Sequence, residues 1–318
     1  MKRIAFMAIA LALAISAGIG RTQAVPAAQA GTDLLPLLPD GTGVVVVDVQ
    51  KLISSSLWAT ISEKGPIKDA LRRMEDVTEL GVSIKDIRSV AVVFGSTGPN
   101  NFTAAVSGTF NQAALLARAR SDQRIKLTSE KYKNYEIYNV TEAKPTGPKA
   151  DNMSFMFYDA GTIVAGSQAG VHASIDAITG GKSGIAQNAK LAAGLNSDSA
   201  AAVRFAIELT PAMTGGLQST ELPLPDFSSI NMVFGGVDLT SGVGINATLR
   251  SNTAEQAKVV AERLNGILAM AKGFLGSSND PKMAALSEAL KTVTISGADV
   301  DVKITGNLPM ELLSQVLR

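Results

Sequence analysis

The sequence predicts an α+β fold in two related lobes, each a mainly antiparallel sheet with helices over one face, produced by internal duplication. Three observations predict it. Short β-branched runs are joined by Gly, Asn and Asp turns, the punctuation of hairpins and not of long parallel crossovers. Amphipathic helical stretches fall between the hairpins, as they do when helices cover a sheet. The order strand, hairpin, helix, hairpin, helix runs through residues 31–180 and returns in residues 200–318, with 181–199 as a linker holding a short helix.

The elements follow in order. "TDLLPLLPDGT" (32–42) carries two prolines and a Pro-Asp-Gly turn signal, and leads into the strand "GVVVVDV". A two-part helical stretch breaks at Gly65-Pro66, and its second part places Ile67, Leu71, Met74, Val77 and Leu80 on one stripe. "SVAVVFG" and "FTAAVSGTF" make a hairpin and lead into the helix "NQAALLARARS". "IKLTSEKY" and "NYEIYNV" pair across Lys133-Asn134, and "MSFMFYDAGTIVAGS" turns at Asp159-Ala160-Gly161. The helix "QAGVHASIDAIT" closes the first lobe. In the second, "AAVRFAIEL", "INMVFGGVDL" and "GVGINATLRS" stand where the first three strands stood, and Thr253 to Gln256 form a capping box for the next helix. "TVTIS", "DVDVKIT" and "PMELLSQVL" complete it; in "DVDVK", Asp299, Asp301 and Lys303 are expected on one face.

The N-terminus reads as a signal peptide. Lys2 and Arg3 precede the apolar run Ile4 to Gly20, and small-residue cleavage patterns end at Ala24 or Ala30. An uncleaved anchor is the rival reading, since about 20 apolar residues usually span a bilayer. The expectation is a periplasmic or secreted bacterial protein, 1–24 being removed, with no membrane span in the mature chain. Losing Lys2, Arg3 and Arg21 takes the formal net charge from +1 to −2. A balanced surface without a basic cluster argues against nucleic-acid binding. The chain has no cysteine, which excludes disulfides, thiolate metal sites and cysteine nucleophiles.

Chemical motifs are few, and no cofactor or metal is expected. "GGKSG" (180–184) suggests a phosphate loop, but that loop needs a glycine five residues before Gly181, where Asp176 stands, and a strand before it, where a helix is read. His172 is the only histidine, so a histidine-based triad would have to use it. Its nearby carboxylate is Asp176 at i+4, a spacing common on helix surfaces. The enzyme alternative is a carboxylate-dependent hydrolase whose acid pair is assembled by the fold. The better interaction candidate is the irregular segment Thr210 to Ser229, where Met213, Leu217, Leu222, Leu224 and Phe227 lie among prolines and glycines. Apolar residues in a long irregular connection either tuck under the sheet and cap the core or form an exposed patch, and exposed patches mark partners or membranes.

The stretches "LLPDGTGVVVVDVQKLISSSLW", "YKNYEIYNV" and "FMFYDAGTIVAGSQAGVHASIDAITGG" resemble a theme of uncharacterised exported bacterial proteins. The resemblance covers most of the first half and implies an exported α+β protein, with no catalytic residues to transfer. The functional expectation is non-catalytic binding or scaffolding, toward a protein or envelope component or a small apolar ligand.

Overall fold

The structure is a computed structural model that describes residues 31–61, 83–95, 102–143, 152–211, 213, 227–240, 242–277 and 280–316. The expected signal peptide and the second half of the two-part helix lie outside the described residues. The protein is mixed α and β, with large antiparallel sheets and several helices, and the chain divides into two compact units. The first comprises Met1–Ile53 and Pro66–Ala192, the second Ser54–Gly65 and Ala193–Arg318.

In the first unit a short 3-10 helix (Thr32–Leu37) precedes β1 (Gly43–Asp48) and α1 (Val49–Ser54). α2 (Ser56–Ile61) belongs to the second unit. There follow β2 (Ile87–Phe94), β3 (Phe102–Gly108), α3 (Gln112–Ser121), β4 (Ile125–Tyr132), β5 (Tyr135–Glu142), β6 (Met153–Asp159), β7 (Thr162–Gly166) and α4 (Gln168–Ile178). All pairings are antiparallel, in the order β1-β2-β3-β7-β6-β5-β4. Among the residues with left-handed backbone here, Lys133 takes φ 52 between β4 and β5, and Gly180 takes φ 74 where α4 stops.

The expectation of helices over one face fails for this unit. β2, β3 and β7 are buried almost throughout, on both sides. Register shows why. Ser89, Ala91, Val93, Thr103, Ala105, Ser107 and Val164 share the face that meets α4 and the 3-10 helix. Val90, Val92, Ala104 and Val106 share the other, where Val49 and Ile53 of α1 and Leu115 of α3 pack. Continuous apolar runs such as "VAVVF" are what two-sided burial requires.

The second unit holds β8 (Val203–Glu208), β9 (Ile230–Asp238), β10 (Gly242–Ser251), α6 (Ala254–Gly276), α7 (Pro281–Lys291), β11 (Thr294–Ala298), β12 (Asp301–Pro309) and α8 (Met310–Val316). Before them the last turn of α5 (Ala189–Asn196) also lies in this unit. Its strand order is β8-β9-β10-β12-β11, again antiparallel. Thr253 caps α6, its hydroxyl accepting from the Gln256 amide at 3.2 Å. Ala257, Val260 and Ala261 then pack on Ile230, Leu249 and Val302. Burying each of these larger side chains contributes roughly 1.5–3 kcal/mol. Here alternation along β11 and β12 leaves the opposite face polar. Asp299 does not join that face: it sits in the β11–β12 turn with φ 51, because the turn claims the residue two before Asp301.

Gly235 marks the tightest backbone approach in β9. Its φ of 154 is disfavoured for side chains, and a Cβ would collide with the Asn246 carbonyl oxygen on β10. Gly235→Ala is expected to lower unfolding stability by about 3 kcal/mol or more, measured by urea denaturation. A loss below about 0.5 kcal/mol, the range of neutral surface changes, would contradict this packing.

Candidate functional site

In the first unit polar groups converge where α4 crosses the β4–β5 hairpin. Ser167 caps α4 through the Gly170 amide, while Val171 and Ile175 bury its inner face. That orientation turns His172 and Asp176 toward β4, whose alternation presents Glu130 and Tyr132. His172 Nε2 lies 3.0 Å from Glu130 Oε1, and Gln168 donates to the same oxygen at 2.8 Å. The Tyr132 ring stacks on His172, centroids 4.2 Å apart, and its hydroxyl donates to Asp176 Oδ1 at 3.0 Å. Lys133 Nζ reaches Asp176 at 2.6 Å and Thr179 at 2.8 Å.

The sequence pairs His172 with Asp176; the structure gives each a different partner from the hairpin. Glu130 stands 42 residues from His172, a separation that spacing rules on a single helix do not reach. Hydrogen bonds from Gln168 and then His172 hold the Glu130 carboxyl below its ordinary range. Lys133, before Tyr132, does the same for Asp176. Donation to Asp176 pushes the Tyr132 hydroxyl up. Every group here is engaged by another, so the arrangement clasps helix to hairpin and leaves His172 Nε2 engaged with Glu130.

"GGKSG" joins this clasp. The amides of Gly181 and Lys182 point at the Asp176 carbonyl, at 2.7 and 3.3 Å. Lys182 Nζ lies 3.7 Å from the Asp176 carboxylate. Amides that would cradle a phosphate are spent on closing the helix.

The second unit offers two further features. On its polar sheet face, a groove of about 500 Å³ is lined by Phe234, Asn246, Thr248, Arg250, Asp301 and Lys303, with the end of α5 as one wall. Arg250 grips Asp301 through Nε and an NH2 group, at 2.8 and 2.9 Å, and stacks over Phe234 at 5.0 Å. Asp301 pushes the pKa of Arg250 up.

The other feature is a ridge on α6. Met270 is 62% exposed and Phe274 76%. With Val259, Gly266 and Gly273 they step by three, four or seven along the side opposite Ala257, Val260 and Ala261. A Cβ at Gly266 or Gly273 would meet open space. The signal of this ridge in the sequence is "GILAMAKGFLG", a helical stretch with two interior glycines and Lys272 as its one charge.

Of the residues singled out from sequence, Met213 is exposed, and Phe227 is half-buried against the cluster of Ile230, Leu249 and Val302, where its ring serves the core. Leu217, Leu222 and Leu224 lie outside the described residues. Among the described residues no group of three or more His, Asp or Glu side chains is placed to hold a metal ion, and no helix is long and apolar enough to cross a membrane.

No family model matches the chain, and no curated protein matches it. Among solved structures, crystal form III of TP0453, a Treponema protein, aligns over 89% of this chain and 96% of that chain, at 12% identity and a TM-score of 0.48. Crystal form I of TP0453 aligns over 89% and 95%, at the same identity and TM-score. At that distance the likeness says nothing of function, and the sites stand on their own geometry.

The lowered carboxyl of Asp176 carries a sign. A folded pKa below the unfolded 3.8 means that the unfolded chain binds the proton more readily. Its contribution to stability is therefore full above the unfolded value and is lost as the pH falls through the folded one. Asp176→Asn is expected to be less stable than wild type at pH 7, with the gap closing below 3.8. Urea denaturation across that range checks it; a gap independent of pH would contradict the clasp.

Proposed function

We propose that the protein is an exported bacterial envelope protein, periplasmic or secreted, that works by binding a protein partner through the α6 ridge. The observation that carries this reading is the exposure of Met270 and Phe274 on the outer side of a helix whose inner side already meets the core. Large apolar side chains clustered in water cost free energy that a partner recovers. The two interior glycines support it. Each weakens a helix by roughly 0.5–1 kcal/mol relative to alanine, and neither is required by a neighbouring atom. Their missing side chains leave notches beside Met270 into which a partner's side chains fit. The basic residues, apolar run and small-residue sites of the leader support export. Met213 adds a further exposed apolar contact in the second unit.

We read the two units as diverged copies. In each, the third strand leads into a helix and the last strand returns to pair beside the third, as β3 with β7 and β10 with β12. The second copy then lacks an equivalent of the β4–β5 hairpin. The hydrolase alternative is disfavoured in the groove, because both oxygens of Asp301 are held by Arg250.

The test is recovery of partners from a native envelope extract by the mature protein. The double variant Met270→Glu, Phe274→Glu is expected to lose the partner while keeping the wild-type thermal midpoint within about 2 °C. Full recovery by the folded variant would overturn the ridge.

A further inference from the structure

We infer that the partner of the α6 ridge is a second copy of this chain, bound antiparallel about a two-fold axis; this rests on the ridge being a binding surface and names what binds there. A face that pairs with itself must hold both halves of each contact, since a two-fold makes every contact twice. The second half of α6 holds both. Met270 and Phe274 project from it, 62% and 76% exposed. Gly266 and Gly273 leave open space beside them, and Ala269 adds only a methyl group. The two glycines lie about two helical turns apart, so both notches open on one side. A two-fold at the level of Lys272 matches these parts. It sets Phe274 of each copy opposite Met270 of the other, a ring against a thioether, which attract. Gly266, Ala269 and Gly273 then share one flank of the seam in both copies, where the lack of bulk lets the backbones approach. Antiparallel helices also oppose their dipoles.

Charge fits the same pairing. From Gly266 to Ser277 the ridge carries no charged residue: Lys272, the one charge in that span, stands two residues on from Met270 and so on the opposite side. Two copies therefore meet there without like charges in contact. Further out, Glu262, Arg263 and Lys282 are exposed and make no ion pair among the described residues. The register carries Glu262 and Arg263 just past the end of the other copy's α6, where its chain enters α7 at Asp280 and Lys282. Long side chains of opposite sign come within reach of each other at both ends of the seam. A contact of about three helical turns is small for a permanent interface, so the dimer is reversible and depends on concentration.

The test is equilibrium sedimentation of the purified mature protein from about 10 µM to about 1 mM, where it is expected to pass from monomer to dimer with a Kd of about 100 µM. Gly273→Leu is expected to raise that Kd about tenfold or more while its thermal midpoint holds or rises, because the new side chain meets nothing in its own copy and fills the notch the other copy needs. Glu262→Lys is expected to raise it about threefold, and adding Lys282→Glu to the same chain to restore it. The chain has no cysteine, so single replacements report the register. Gly273→Cys is expected to crosslink on oxidation, its two positions lying about 3 Å apart along the seam, and Glu255→Cys is not, at about 50 Å. A wild type that stays monomeric throughout, unchanged affinity in folded Gly273→Leu, a charge swap that restores nothing, or equal crosslinking of both cysteine variants would each overturn the second copy. If the wild type is monomeric and Met270→Glu, Phe274→Glu still loses an envelope partner, only the second copy falls and the ridge stands; full recovery by that folded variant removes the ridge as well.

Discussion

The second unit depends on the register of β10 against β12. Arg250 faces Asp301, Leu249 faces Val302 and Thr248 faces Lys303. Because strand side chains alternate with a period of two, this one alignment sends Leu249 and Val302 toward α6 and the charged residues toward the other face. A slip of β12 by one residue would drive Asp301 and Lys303 into the apolar cluster and expose Val302. Core and groove are two sides of the same pairing, and neither can change register alone.

Helices occupy these sheets in two ways. α4 lies with Val171 and Ile175 fully buried, and close to β3, where Thr103 leaves no room for a side chain at Gly170. Its polar side is then engaged by Glu130, Tyr132 and Lys133, so little of it is free for another molecule. α6 is 23 residues long and buries Ala257, Val260 and Ala261, all in its first half. The second half runs on with Met270 and Phe274 outward. On its other side this half packs against α7, with Ile267, Leu268, Ala271 and Leu275 half-buried.

The strands were legible because their signals are local. "VVVVDV", "SVAVVF" and "TIVAG" are β-branched runs bounded by turn residues, and the hairpins close across Lys133-Asn134 and Asp159-Gly161 as those turns imply. What escaped was long-range. His172 meets Glu130 and Arg250 meets Asp301 across 42 and 51 residues, and such pairs follow from strand order, which periodicity does not encode. The same limit explains the covering of both faces in the first unit. An apolar run tells that a strand is buried on two sides, but not which helices do the burying. The ridge on α6 escaped for another reason: Met and Phe in a helix read as core until the structure shows which side meets the sheet.

A double-mutant cycle between Arg250 and Asp301, each replaced by alanine and measured by urea denaturation, tests the register most directly. The pair is two-point but partly exposed, with side-chain exposures of 42% and 22%, so solvent screening keeps its coupling near about 1 kcal/mol. A coupling of that size, weakened by added salt, is the expected result. Strictly additive losses would contradict the pairing on which both the core and the groove of the second unit rest.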